Sequence, residues 1–234
     1  MNFGDSDFWF AVLKIIGIDI VLSGDNAVVI ALAARSLPPR HQKLAIFWGT
    51  GAAIVLRLTL IFFALALLKL PFLKLIGAIL LLWIGMKLLV GGEGDGHNIS
   101  AGSTLLAAIR TIVIADAVMS VDNVVAVAAA AKGNFGLAMF GIALSIPIII
   151  FTSQILIKVM ERYPVIIVIG AALLGFVAGE MAWTDPVLKE YVSGFPRWGE
   201  YVAGVVGAAM VVGAGKYVSG RRKRSETPAL MGNE

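Results

Sequence analysis

Seven stretches of this chain, 9–34, 44–68, 71–90, 104–131, 137–159, 164–182 and 199–217, are largely apolar and carry few charges. Each is about as long as the roughly 20 residues needed to cross a bilayer as a helix. This pattern constrains the fold more than any motif does. Inside a bilayer every backbone N–H and C=O must find a partner within the protein, and a helix bonds its own. The composition agrees: 59% of the 234 residues are hydrophobic, 15% are charged and mean hydropathy is +0.91. Soluble domains carry about 25% charged residues. The expected fold is an all-α polytopic membrane protein with seven transmembrane helices in a single domain. No separate soluble domain fits in the residues left over.

The breaks between the runs have their own chemistry. Pro38 and Pro39 end the first run, Pro71 opens the third and Pro164 opens the sixth. A glycine-rich polar linker begins at Gly91 and occupies 91–103, and Thr184 to Pro196 reads as a charged connection. A basic tail, 218–234, contains Arg221, Arg222, Lys223 and Arg224, which hold much of the net charge of +4. After a final span such a run reads as a cytoplasmic anchor rather than a nucleic-acid patch. The first eight residues contain Asp5 and Asp7 and no base, unlike the start of a signal peptide.

Two of the runs contain the same polar phrase. Asp19, Ser23, Asp25 and Asn26 recur as Asp116, Ser120, Asp122 and Asn123, so that both copies read D-x-x-x-S-x-D-N at an offset of 97 residues. Arg35 and Lys132 share that offset, and the Gly77 to Leu81 segment lines up with Gly170 to Leu174. The chain therefore divides into repeat 1 (9–90), the linker, repeat 2 (104–182) and a seventh helix (199–217). Each repeat has three spans, an odd number, so the copies enter the membrane in opposite directions. Inverted duplication of this kind is found in secondary transporters, whose sites lie near the midplane where the repeats meet.

A carboxylate at the centre of a membrane helix costs about 2.5–3.5 kcal/mol on insertion scales. Four of them amount to roughly ten kcal/mol, which a cation bound between the repeats would offset. The candidate ligands are Asp19, Asp25, Asn26, Asp116, Asp122 and Asn123, with Ser23, Ser120 and Arg57 in support. All are oxygen donors apart from Arg57, and such a set suits Mg²⁺, Ca²⁺ or Mn²⁺. The chain has no cysteine, which excludes thiolate sites and disulfides, and its histidines, His41 and His97, read as loop residues. A helix turns about 100° per residue. Asp19, Ser23 and Asn26 then share a face, as do Asp116, Ser120 and Asn123, while Asp25 and Asp122 fall about 120° away. The second Asp of each copy either serves another interface or lies on distorted helix. Gly24 permits distortion in the first copy and Val121 gives no such freedom in the second. The alternative is that the carboxylates stay protonated or simply join helices.

Other polar residues in the spans have plainer readings. Arg57, central in the second span, pairs with one or more of the aspartates, or stands in as a tethered counter-ion when no metal is bound. Lys87 and Glu180 snorkel at equivalent span ends. Thr152, Ser153 and Gln154 line a path or bond between helices, and Lys14 reaches the outer interface. Glu93, Asp95 and His97 read as a solvated linker, and the Asn98 sequon falls on its cytoplasmic side. Gly204, Gly207, Ala208 and Gly213 form a small-residue stripe for a homodimer or for docking the last span. With the N-terminus outside, twelve Lys and Arg fall on cytoplasmic segments and six outside, giving an N-out, C-in orientation.

The two copies, DIVLSGDNAVVIALAA and DAVMSVDNVVAVAAAA, resemble the signature of the TerC family of bacterial membrane proteins. The resemblance runs from about Phe8 to Tyr217. It implies seven spans in the bacterial cytoplasmic membrane, kinship with LysE-type exporters and, from better-understood members, manganese export. The motif positions carried over are the six candidate ligands, with no cofactor beyond the transported ion. Competing functions are a LysE-like exporter of a small organic cation and an intramembrane aspartyl protease, which also uses paired aspartates. The protease motifs Tyr-Asp and Gly-x-Gly-Asp are not matched by Gly17-Ile18-Asp19 or Leu22-Ser23-Gly24-Asp25, so the chain is not expected to be an enzyme. No G-x-x-x-x-G-K-[ST] string is present for direct ATP use.

Overall fold

The computed structural model describes residues 6–22, 24–67, 70–90, 101–131, 134–192, 194–196 and 198–230. The described chain is helical, in the order α1 (Ser6–Leu22), α2 (Gly24–Ala34), α3 (Pro39–Leu67), α4 (Leu73–Val90), α5 (Ala101–Ala130), α6 (Phe135–Arg162), α7 (Val165–Trp183), α8 (Pro186–Val192) and α9 (Gly199–Leu230). Six of these are long and apolar enough to cross a membrane, and α1 and α2 make a seventh if the bent pair counts as one span. Hydropathy places a single helix at 9–34. The structure instead bends it by 48° between α1 and α2.

Contacts at the helix ends show which ends lie together. Arg35, just past α2, donates from Nη2 to the Leu88 carbonyl near the end of α4 at 2.9 Å. At the opposite end, Asp185 after α7 accepts from the backbone N–H groups of Phe72 (3.4 Å) and Leu75 (3.1 Å) where α4 begins. The same carboxylate accepts from Val187 N at 2.9 Å and so caps α8. Phe72 has φ 64, the left-handed region that a bulky residue seldom enters, and the buried Asp185 helps to hold it there. Helix α6 is joined to α7 through Tyr163 and Pro164 alone, so it starts on the Asp185 side. Phe8 in α1 packs on Phe140 near that start, with ring centroids 5.9 Å apart. The bent pair α1–α2 thus runs from the Asp185 side to the Arg35 side, the same depth as its neighbours.

Several boundaries differ from the hydropathy reading. Helix α3 starts at Pro39, so His41 lies in its first turn rather than in a loop. Proline suits the first helical position, and hydrogen bonding continues through Arg40 to Lys43 beyond the apolar run. The connection after α7 contains the short helix α8, and α9 extends past its apolar part, Gly199–Ser219, into the basic tail. Linker residues Glu93, Asp95, His97 and Asn98 lie outside the described residues.

The interior is filled by small and branched residues. Helices α3 and α5 pack along each other, as do α4 and α7, while α6 packs on both α1 and α2. The last span is docked tightly on α7. A Cβ at Gly175 or Gly207 would strike the other residue's carbonyl, and one at Gly179 would strike the Ala203 carbonyl. A Cβ at Gly204 would lie 2.7 Å from the Phe176 ring. Within the stripe, Gly204 and Gly207 therefore serve to dock α9 on α7.

Candidate functional site

Arg57 sits midway along α3 and is buried with its charge. Its Nη1 donates to Asp19 Oδ1 and its Nη2 to Asp116 Oδ1, both at 2.6 Å. Its Nε donates to Ser120 Oγ at 3.0 Å, and that hydroxyl donates to Asp116 Oδ2 at 3.0 Å. Asp19 comes from α1 and Asp116 from α5, with 1% and 7% of their surfaces exposed. On the far side of Asp19, Ser145 of α6 donates its hydroxyl to Oδ2. One guanidinium therefore bridges the first Asp of each motif copy, and two serines fix the outer oxygens. A charged group at such depth persists only when paired and hydrogen-bonded, and here every charge is.

Beside this centre is a cavity of about 20 Å³. One water needs roughly 10–15 Å³ on this scale, so the cavity fits an occupant of about that size. Asp19, Asp116, Arg57, Ser145, Asn26 and Thr50 supply its polar wall, and isoleucines and Ala53 supply the rest.

The structure separates the six candidate ligands. Asp19, Asp116 and Asn26 reach the cavity. Asp25 does not: its Oδ1 accepts from Asn26 N at 2.8 Å, in the first turn of α2. The break before Gly24 leaves backbone N–H groups without helical partners, and Asp25 satisfies one of them. That accounts for its position off the shared face. Asn123 is half-buried on α5 and is not part of the cavity wall. The side chain of Asp122 and all of Ser23 lie outside the described residues. Among the described residues, no three acidic or imidazole side chains gather as a metal cluster. Helix α5 runs unbroken through Ser120 to Asn123, as Val121 in place of Gly24 leads one to expect.

The other polar residues take structural places. Ser153 is buried and donates to the Ile149 carbonyl at 2.7 Å, away from the cavity wall. Lys87 lies over the Trp83 ring, 5.1 Å from its centroid. Sequence reasoning missed Ser145 and Thr50, single hydroxyls in apolar spans that belong to no repeated phrase. It also missed Asp185.

The first Asp of each short acidic phrase thus reaches one buried centre, and comparison with known proteins places the sequence that carries them. Residues 4–223 match the Integral membrane protein TerC family. The chain belongs to the TerC family. The chain is similar to Uncharacterized membrane protein YjbE of Bacillus subtilis, 42% identical over 189 residues, covering 81% of this chain and 86% of the relative. YkoY of the same organism is 25% identical over 94% of this chain and 75% of its own length. The UPF0053 inner membrane protein YoaE of Escherichia coli is 26% identical, and the match spans only 36% of YoaE. No solved structure matches the chain.

Proposed function

We propose that this TerC protein exports a divalent metal cation, manganese first of all, by alternating access at the Asp19–Arg57–Asp116 centre. One observation carries the reading: the first Asp of each motif copy, from two different spans, converges on a single buried positive charge. Two buried carboxylates that already hold a cationic group form a centre able to hold another cation. Membership of the TerC family fits a role in transport, and the ion and its outward direction rest on the family resemblance.

The matched positions of the cavity walls and the helix directions support reading the chain as an inverted duplication. On α3, Thr50, Ala53, Ile54 and Arg57 line the cavity, and 92 residues later Ile142, Ser145, Ile146 and Ile149 of α6 line it as well. The Ile112 side chain of α5 fills the space at Gly49, and Ile15 of α1, 97 residues earlier, does the same at Gly141. The helix-end contacts also make α1–α2 and α5 run in opposite directions, as they do α3 and α6, and α4 and α7. Rocking of two such halves would expose a midplane centre to each side in turn.

In this mechanism Arg57 and the metal compete for one place. With both carboxylates ionised the centre carries a formal charge of −1, and a divalent ion can bind both only after the guanidinium leaves. Arg57 then returns as the ion departs, keeping the carboxylates paired in the empty carrier. Protonation of the carboxylates would also help release by weakening their hold on the ion. An organic cation the size of an amino acid is disfavoured by the small cavity. An aspartyl protease is disfavoured because Arg57 lies between the two carboxylates.

Metal content of cells tests the proposal. Cells making the protein should hold less manganese than controls, and Asp19→Asn or Asp116→Asn, produced at equal level, should remove the difference. Manganese efflux unchanged in both variants would overturn it.

A further inference from the structure

We propose that Thr50 is a ligand for the transported cation and sets its preference for hard metal ions, an inference that rests on the divalent-cation reading above. Thr50 and Asn26 are each only 3% exposed and both line the cavity beside the carboxylate pair. Among the described residues Thr50 Oγ1 has no hydrogen-bond partner, and neither has Asn26 Oδ1 or Nδ2. Leaving a buried polar group unpaired costs about 1–3 kcal/mol.

Among the described residues, the hydroxyl of Thr50 departs from a common helical pattern. Helical Ser and Thr commonly donate back one turn, and Thr59 (to Val55), Thr111 (to Ala107) and Ser153 (to Ile149) all do so. Thr50 does not, so its oxygen is left for whatever enters the cavity. Packing alone does not require that oxygen, because Ile142 fills the matched position on α6. The hydroxyl is an addition made by one half of the centre only.

The chemistry fits a small hard cation. Asn26 Oδ1 and Thr50 Oγ1 are neutral oxygen donors of the kind that replace water around Mg²⁺, Ca²⁺ or Mn²⁺. The neighbouring carboxylates supply the charge, and the neutral pair supplies geometry. Softer ions gain less from a hydroxyl oxygen, so removing it should lower the affinity for Mn²⁺ relative to that for Zn²⁺.

The test is Mn²⁺ binding to the purified full-length chain in detergent, read from the EPR signal of free Mn²⁺, with Zn²⁺ as competitor. Thr50→Val keeps the shape and removes the oxygen, and Thr50→Ser keeps the oxygen. Thr50→Val should weaken Mn²⁺ binding at least about tenfold and lower the Mn²⁺/Zn²⁺ preference, while Thr50→Ser stays near the wild type. Thr50→Ala gives a second reading if the valine variant does not fold, with the same loss expected. Wild-type binding in Thr50→Val, or in Thr50→Ala if the valine variant fails to fold, combined with loss in Asp19→Asn, would overturn the role of Thr50 and leave the cation centre standing; the cavity would then hold water. No Mn²⁺ binding by the wild type would overturn both.

Discussion

At the scale of single residues, the centre depends on charge balance. Arg57→Gln would leave two buried carboxylates facing each other without a counter-charge. Removing one partner of a buried ion pair costs about 3–5 kcal/mol, so thermal unfolding in detergent should show a large loss of stability. Added Mn²⁺ should restore more stability to this variant than it adds to the wild type, because the competitor is gone. Asp19→Asn should be milder, since it leaves one carboxylate opposite one guanidinium. Much of this centre was legible in the sequence. The repeated phrase pointed to Asp19 and Asp116, and the lone Arg57 in an apolar span needed an anionic partner; the regular 100° turn that grouped Asp19 with Asn26 is interrupted by the bend between α1 and α2. Ser145 and Thr50 were not legible, because a single hydroxyl has no periodicity and its role depends on which helix packs against it.

At the scale of elements, the break between α1 and α2 distinguishes the two motif copies. A Cβ at Gly24 would meet nothing within 4 Å, so packing does not demand glycine there. Its contribution is conformational: glycine leaves the backbone free to change direction where α2 begins. Gly24→Ala should therefore change stability by no more than about 0.5 kcal/mol and slow transport by stiffening the bend. Thermal unfolding and initial rates in vesicles check the two halves of that statement. The α7–α9 interface should be far less tolerant. Gly179→Val would drive a branched side chain into the Ala203 backbone, at a cost of several kcal/mol by overpacking, seen as a lower unfolding temperature. Hydropathy found the spans but not the bend, because both halves are equally apolar. Only Gly24, set against Val121, hinted at where it falls.

For the whole molecule, the N-out, C-in orientation is an expectation from the distribution of basic residues, and it can be tested without background because the chain has no cysteine. Lys43→Cys lies at the Arg35 end of α3, and Tyr191→Cys lies on α8 at the opposite end; both positions are exposed. In intact cells an impermeant maleimide should label Tyr191→Cys and spare Lys43→Cys until the membrane is opened. The reverse pattern would invert the expected N-out, C-in topology and with it the direction assigned to transport. The duplicated motif suggests a repeat, but how the helices interlock, α3 against α5 and α6 against α1–α2, emerges only from their packing. The most direct measurement of the central claim is manganese uptake into inside-out membrane vesicles. The account predicts uptake by the wild type that Asp19→Asn and Asp116→Asn abolish; uptake of equal rate in all three would contradict it.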